Sequence, residues 1–203
     1  MNVTGSLIRA TDVTLAALGL IATAPILAIL LVVGWIDTRA PIFRQERVGL
    51  NRKVFVLYKF RTMNPGTESV ATHLAAPEAV TRFGRFLRAT KLDELPQLWN
   101  VLKGDMSLVG PRPCLLNQTE LIEERAKRGV FAVRPGITGL AQIRGIDMST
   151  PELLAETDRA MIDRLSWRSY FCYIVQTALG RGQGDRVRVR DTKGGEQNRS
   201  VGD

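Results

Sequence analysis

Two acids, Asp93 and Glu94, stand side by side in the string LDELPQL, and three bases, Arg88, Lys91 and Arg112, lie near them in the chain. Paired carboxylates at a helix start usually do no more than complement the helix dipole. The surrounding residues suggest a further use. A helix start also attracts phosphate, and Pro111 and Pro113 stiffen the presentation of Arg112, whose guanidinium fork suits bidentate phosphate contact. A carboxylate can attack phosphorus and carry it as an acyl-phosphate. Magnesium, typically held by one or two carboxylates, would offset the charge of a diphosphate. Asp93 and Glu94 are therefore candidates both for catalysis and for holding Mg2+, with Arg112 and Arg88 as phosphate donors.

Other chemistries are closed off by composition. His73 is the single histidine, so acid–base or metal chemistry built on several histidines is excluded. Cys114 and Cys172 lie far apart with no CxxC, which argues against a disulfide framework or structural zinc and for a reducing compartment. The formal net charge of +8 suits anionic partners: lipid headgroups, nucleotide phosphates or nucleic acid.

The elements that must position these residues form an α+β pattern, a small and mostly helical domain with one β-hairpin. Residues 40–63 alternate or run apolar on either side of Gly49-Leu50-Asn51-Arg52, which predicts the hairpin. Residues 64–80 are polar with Pro65, Gly66 and Pro77, and predict a loop. Over 81–91, Arg82, Arg85 and Arg88 recur beside Phe83, Phe86 and Leu87. That is a basic amphipathic helix, lying either at a membrane interface or on the body with its phenylalanines inward. Residues 92–102 predict a helix with Pro96 in its first turn, where proline is tolerated. Residues 111–113 and 134–145 read as loops. Residues 151–167 predict an amphipathic helix with Leu154, Thr157, Met161 and Leu165 on one stripe, and 168–179 a second interfacial helix. From 181 to 203 glycine and polar residues predict a disordered tail. No repeat or linker divides the chain.

Residues 13–36 carry no charge and are long enough to span about 30 Å of hydrocarbon as a helix. Two features argue against a simple span. Ala24-Pro25 sits at the midpoint, where proline bends or breaks a helix. Basic residues also flank both ends: Arg9 before, and Arg39, Arg44, Arg47, Arg52 and Lys53 after. Such flanks prefer the cytoplasmic side. A re-entrant helix broken at Pro25, each half about 18 Å long, satisfies both; a kinked single-pass anchor is the alternative. The expected division is a re-entrant membrane helix over 1–38, a catalytic domain over 39–180 and the tail over 181–203.

YKFRTM (58–63), LDELPQLWNVLKGDMSLVGPRP (92–113) and VRPGITGLAQ (133–142) occur in this order. With the proline-centred apolar segment before them, they resemble the bacterial sugar transferases called monotopic phosphoglycosyl transferases, over residues 7–180. The resemblance implies transfer of a sugar-1-phosphate from a UDP-sugar to undecaprenyl phosphate with release of UMP, the first membrane step of exopolysaccharide or lipopolysaccharide synthesis. It implies that Asp93 attacks the β-phosphorus to form a covalent intermediate. Glu94 would activate the acceptor or hold Mg2+, and Arg112 would bind phosphate. Lys59, Arg61, Arg88, Arg134 and Gln142 match family positions for phosphate or nucleotide-sugar binding. It also implies a place on the cytoplasmic face of the bacterial inner membrane. Two departures stand out. Ala24-Pro25 replaces the frequent Ser-Pro, and IRGIDMSTPELLAETD follows GLAQ where many members carry GRN and a tryptophan. The second bears on the sugar, for which an N-acetylated hexosamine is the expectation. A homo-oligomer is left open, and no nucleic-acid partner is expected. The rival reading is a membrane-tethered basic binding or scaffold protein, which explains the charge but not the apposed acids. A glycosyltransferase would release UDP instead of UMP.

Overall fold

The computed structural model describes residues 3–67 and 79–180. Helix α1 (Val3–Thr38) opens the chain. The predicted hairpin follows as strands β1 (Ile42–Val48) and β2 (Val54–Phe60), antiparallel from Ile42↔Phe60 to Val48↔Val54. Helix α2 (Arg82–Thr90) starts where Thr81 Oγ1 accepts from the Gly84 amide, a side-chain N-cap. Its phenylalanines divide: Phe83 packs inward with Leu87, while Phe86 is exposed. Helices α6 (Pro151–Asp163) and α7 (Trp167–Ala178) close the described chain, α7 beginning in a capping box made by Ser166 and Ser169. The expected stripe on α6 holds at Leu154, Thr157 and Met161, all buried; Leu165 lies beyond the helix.

The segment expected as one helix over 92–102 is split. Leu92–Glu94 forms a 3₁₀ turn, and α3 (Gln97–Lys103) begins only after Pro96. Proline has no N–H to enter the helical ladder, so the preceding residues tighten into i→i+3 turns instead. Residues 134–145 are not a plain loop. They hold β4 (Gly136–Thr138), paired in parallel with β3 (Ser107–Val109), and the short helix α5 (Leu140–Arg144). Helix α4 (Thr119–Lys127) was also not anticipated. The far ends of the predicted 64–80 loop meet through a Met63–Val80 bridge, while residues 68–78 and the 181–203 tail lie outside the described residues.

α1 differs from expectation at Pro25: the helix continues through it. A buried proline-free ladder is not required there. Proline forfeits one hydrogen bond and bends a helix without having to end it, and the neighbouring Thr23 Oγ1 donates back to the Gly19 carbonyl at 2.6 Å. One stripe of α1 faces the body. Asp12, Ala16, Leu30, Gly34 and Thr38 are buried, and Gly19, Thr23 and Leu27 lie half-buried between them, at the three- and four-residue steps of a single helical face. Ala16 joins Leu57, Val101 and Met106 in one core cluster, whereas Leu30 joins Phe60 and Leu87 in another. A third cluster, around Val48, Cys114, Leu121, Ala141 and Leu154, holds the C-terminal part together. The opposite face of α1 exposes Ile21, Ile29, Val32, Trp35 and Ile36.

Candidate active site

The 3₁₀ turn that carries Asp93 and Glu94 packs against β2 and α2. It is entered through Lys91, which ends α2 in the left-handed region (φ 58°, ψ 16°). A non-glycine residue held there stores strain of about 1–3 kcal/mol, a feature that clusters at functional sites. Here it turns the chain sharply enough to seat Asp93 inside, 3% exposed, while Glu94 faces the next loop. Arg112 Nη2 donates to Glu94 Oε1 at 3.1 Å, so the acids at 93–94 and the proline-framed arginine, separate in sequence, form one constellation.

The loop Gly110–Pro113 follows β3 closely against β4. A Cβ on Gly136 would lie 2.0 Å from the Gly110 amide nitrogen, so this crossing admits only glycine. Behind it, both side-chain amide atoms of Gln142 are buried with no hydrogen-bond partner among the described residues, beside Gly139, where an added Cβ would come within 2.7 Å of Gln142 Oε1. Buried amide atoms without partners are rare and call for a ligand, ion or water.

The basic residues divide among several places. Lys59 is buried on β2, the strand against the acidic turn, with its ammonium 5.7 Å from the centre of the Phe43 ring. Arg88 Nε donates to Thr62 Oγ1 at 2.9 Å, holding the guanidinium at the end of β2. Arg61 Nε donates to the Ala40 carbonyl at 2.8 Å, with its guanidinium over the same Phe43 ring. Arg134 is not brought to the acids: its Nε donates at 2.8 Å to the Gly104 carbonyl, at the far end of α3. Cys114 is buried behind the loop, in the core cluster with Val48 and Leu121, and that burial pushes its thiol up.

A cavity of about 580 Å³ opens beside Glu94 and Lys91. Its walls are largely apolar: Leu95 from the end of the 3₁₀ turn, Leu98 from α3, Leu108 and Ile137 from the paired strands, and Ile174 from α7. No sequence pattern announced it, because it is assembled from elements that lie far apart in the chain.

The chain that brings Glu94 to Arg112 beside buried Asp93, at the mouth of an apolar cavity, has relatives among known proteins. The model of the bacterial sugar transferases matches residues 3–181. The chain belongs to the bacterial sugar transferase family. It is 42% identical over 160 residues to the uncharacterized sugar transferase EpsL of Bacillus subtilis, covering 78% of this chain and 79% of that one. A UDP-glucose:undecaprenyl-phosphate glucose-1-phosphate transferase of Caulobacter vibrioides is 42% identical over 173 residues, 79% of this chain and 64% of its own. An undecaprenyl-phosphate glucose phosphotransferase of Komagataeibacter xylinus is 42% identical over 164 residues, of which 29% of its own length is covered. The sugar transferase match embraces α1 and every element of the site, so the expectation of a transferase stands at family level.

Proposed function

We propose that this sugar transferase moves a sugar-1-phosphate from a UDP-sugar to undecaprenyl phosphate at the cytoplasmic face of the bacterial inner membrane. The observation that carries the reading is the Glu94–Arg112 pair beside buried Asp93, at the mouth of the apolar cavity. Relatives named for undecaprenyl-phosphate sugar transfer support the substrate classes. In the first step an Asp93 oxygen attacks the β-phosphorus, its bond to the bridging oxygen breaks, and UMP leaves with that oxygen. The Asp93 acyl-phosphate now carries the sugar. In the second step an oxygen of the polyprenyl phosphate attacks the same phosphorus and the bond from phosphorus to the Asp93 oxygen breaks, restoring the carboxylate and giving the polyprenyl diphosphosugar. Glu94 orients the acceptor phosphate, and Arg112 stabilises the charge that grows on the transferring group.

Hard oxygen donors suit Mg2+, and two carboxylates with a substrate diphosphate are the kind of set it takes. Among the described residues no group of three metal-ligating side chains occurs, so substrate oxygens must complete any such site. Asp93 and Glu94 would hold the ion, which would supply charge neutralisation when the diphosphate binds.

The cavity walls fit the first isoprene units of the acceptor. The exposed apolar face of α1 supports membrane association, as do Phe171 and Val175 on α7 and Leu179 just past its end, which also stay exposed. Gln142, whose buried side-chain amide has no hydrogen-bond partner among the described residues, would meet the donor.

The deciding experiment incubates membranes containing the protein with UDP-sugars and undecaprenyl phosphate and identifies the nucleotide released. UMP, abolished by EDTA and restored by Mg2+, is the expected result; UDP would make the protein a glycosyltransferase. UDP-glucose, named in several relatives, is the first donor to try, with UDP-N-acetylglucosamine and UDP-N-acetylgalactosamine testing the hexosamine expectation. Arg112→Ala should lower kcat/KM about a hundredfold, as expected when a charge-stabilising donor is lost.

A further inference from the structure

The backbone that presents Arg112 is held at four successive carbonyls. Pro111 O accepts from the Gly136 amide at 2.9 Å, and Cys114 O accepts from the Val48 amide at 3.0 Å. The two between them accept from buried guanidinium groups: Arg112 O from Arg125 Nη1 at 2.8 Å, and Pro113 O from Arg47 Nη1 at 2.9 Å. Both arginines use the same geometry. Arg125, 1% exposed on α4, sets its Nε and Nη2 on Asp158 Oδ2 at 3.0 and 2.6 Å, leaving Nη1 for the loop. Arg47 on β1 sets its Nε and Nη2 on Gln45 Oε1 at 3.1 and 2.5 Å, again leaving Nη1 for the loop.

The arrangement is costly if stability is its sole purpose. A guanidinium buried with its carboxylate is often no more stabilising than apolar side chains of the same volume. Burial also pushes the Asp158 carboxyl upward, against the pull of Arg125, and Asp158 Oδ1 has no hydrogen-bond partner among the described residues. What the two forks accomplish, and apolar residues could not, is to fix the carbonyls on both sides of the Arg112–Pro113 bond. With Pro111 and Pro113 restricting φ, that leaves Arg112 a single backbone pose.

We propose that Arg125, through Asp158, and Arg47, through Gln45, are positioning residues: they act on the reaction by fixing the pose from which Arg112 reaches Glu94 and substrate phosphate. The inference rests on the reading of Arg112 as a phosphate-binding residue. Misplacement of a positioned group by about 1 Å can cost a hundredfold in rate.

The test is a pair of double-mutant cycles in the full-length, membrane-reconstituted protein. UMP release is read with whichever of UDP-glucose, UDP-N-acetylglucosamine and UDP-N-acetylgalactosamine is turned over. Arg125→Lys keeps the charge opposite Asp158 but cannot bridge Asp158 and the Arg112 carbonyl in the same geometry. It should lower kcat/KM by about ten- to a hundredfold when Arg112 is present, chiefly through kcat. In the Arg112→Ala background the same change should matter by no more than about twofold. Arg47→Lys should behave alike, and each variant should keep a cooperative melting transition. Equal losses in both backgrounds would show that the arginines support the fold at large, which overturns the inference. If neither lysine variant folds, they carry the fold and not the pose, and the inference fails as well. The underlying reading fails separately, and takes the inference with it, if Arg112→Ala alone leaves kcat/KM unchanged.

Discussion

Asp93→Asn yields a folded protein that extracts from membranes like the parent, releases UMP at less than about a thousandth of the parent rate, and shows no covalent phosphosugar when incubated with donor alone. The size of the loss follows from the role. Removing a nucleophile by itself typically removes most of what its site contributes, leaving only binding and charge stabilisation. An amide oxygen is isosteric with the carboxylate it replaces but is a far weaker nucleophile, so the fold should survive while the chemistry does not. Burial strengthens the case: at 3% exposure, Asp93 sits in a turn fixed by Lys91 on one side and Pro96 on the other, which leaves little room for another group to substitute. Glu94→Gln is the informative companion. It weakens the partner of Arg112 without touching the attacking group, so it should slow the second step while a labelled intermediate still accumulates from donor alone. An Asp93→Asn protein that keeps a tenth of the parent activity would move the nucleophile elsewhere.

The acids, the proline-framed arginine and the apolar segment were legible in the sequence because each is a local signal. So were the hairpin and α2, whose turn residues and periodicity lie within a short stretch. What the sequence hid is long-range. β3 and β4 are three-residue strands whose parallel pairing, Ser107↔Gly136, joins segments separated by a helix and loops, and neither carries an alternation long enough to read. The inward-facing positions of β1 are Gln45 and Arg47, lying between exposed Arg44 and Glu46, so polar residues occupy both faces and no pattern marks the inner one. Arg125 reads as one of several charges on a helix of Glu and Lys, yet it is among the most deeply buried side chains. Its partner Asp158 sits on a different helix, and only tertiary structure reveals the pair. Arg134 shows the converse. It lies inside a motif-rich string, yet its side chain serves the end of α3.

The second large effect concerns which side of the membrane the N-terminus occupies. A straight helix of 36 residues would be about 54 Å long, more than enough to cross about 30 Å of hydrocarbon. A crossing helix, however, can touch a folded domain only at the end next to it. α1 touches the body at both ends. Near its start, Arg9 donates to the carbonyls of Val101 at 2.6 Å and Met106 at 3.2 Å. Asp12, 2% exposed, accepts from Ser107 Oγ at 3.0 Å, the Leu108 amide at 2.9 Å and the Tyr170 hydroxyl at 2.7 Å. Near its end, Leu30 packs with Phe60 and Leu87, and Gly34 meets Pro41. Between these anchors Gly19, Thr23 and Leu27 continue the half-buried face while Ile21, Ala24, Pro25 and Ile26 are exposed, so the helix lies along the body with its apolar face outward. In a protein whose exposed Cys172 has been replaced by serine, a cysteine placed at residue 5 and another in the 181–203 tail should both resist a membrane-impermeant thiol reagent in intact cells and react once the cells are opened. Labelling of the residue 5 site alone would establish a single-pass anchor. Asp12→Ala leaves three donors facing a gap and should lower stability by about 3 kcal/mol, a fall of roughly 6–12 °C in Tm. Because Asp12 anchors the start of α1 and Pro25 removes a hydrogen bond from its middle, Asp12→Ala combined with Pro25→Ala should bring residue 5 into reach of the external reagent more than either change alone. If the combined variant stays fully protected, neither the polar anchor nor the proline sets the topology, and the basic residues flanking the helix must do so by themselves.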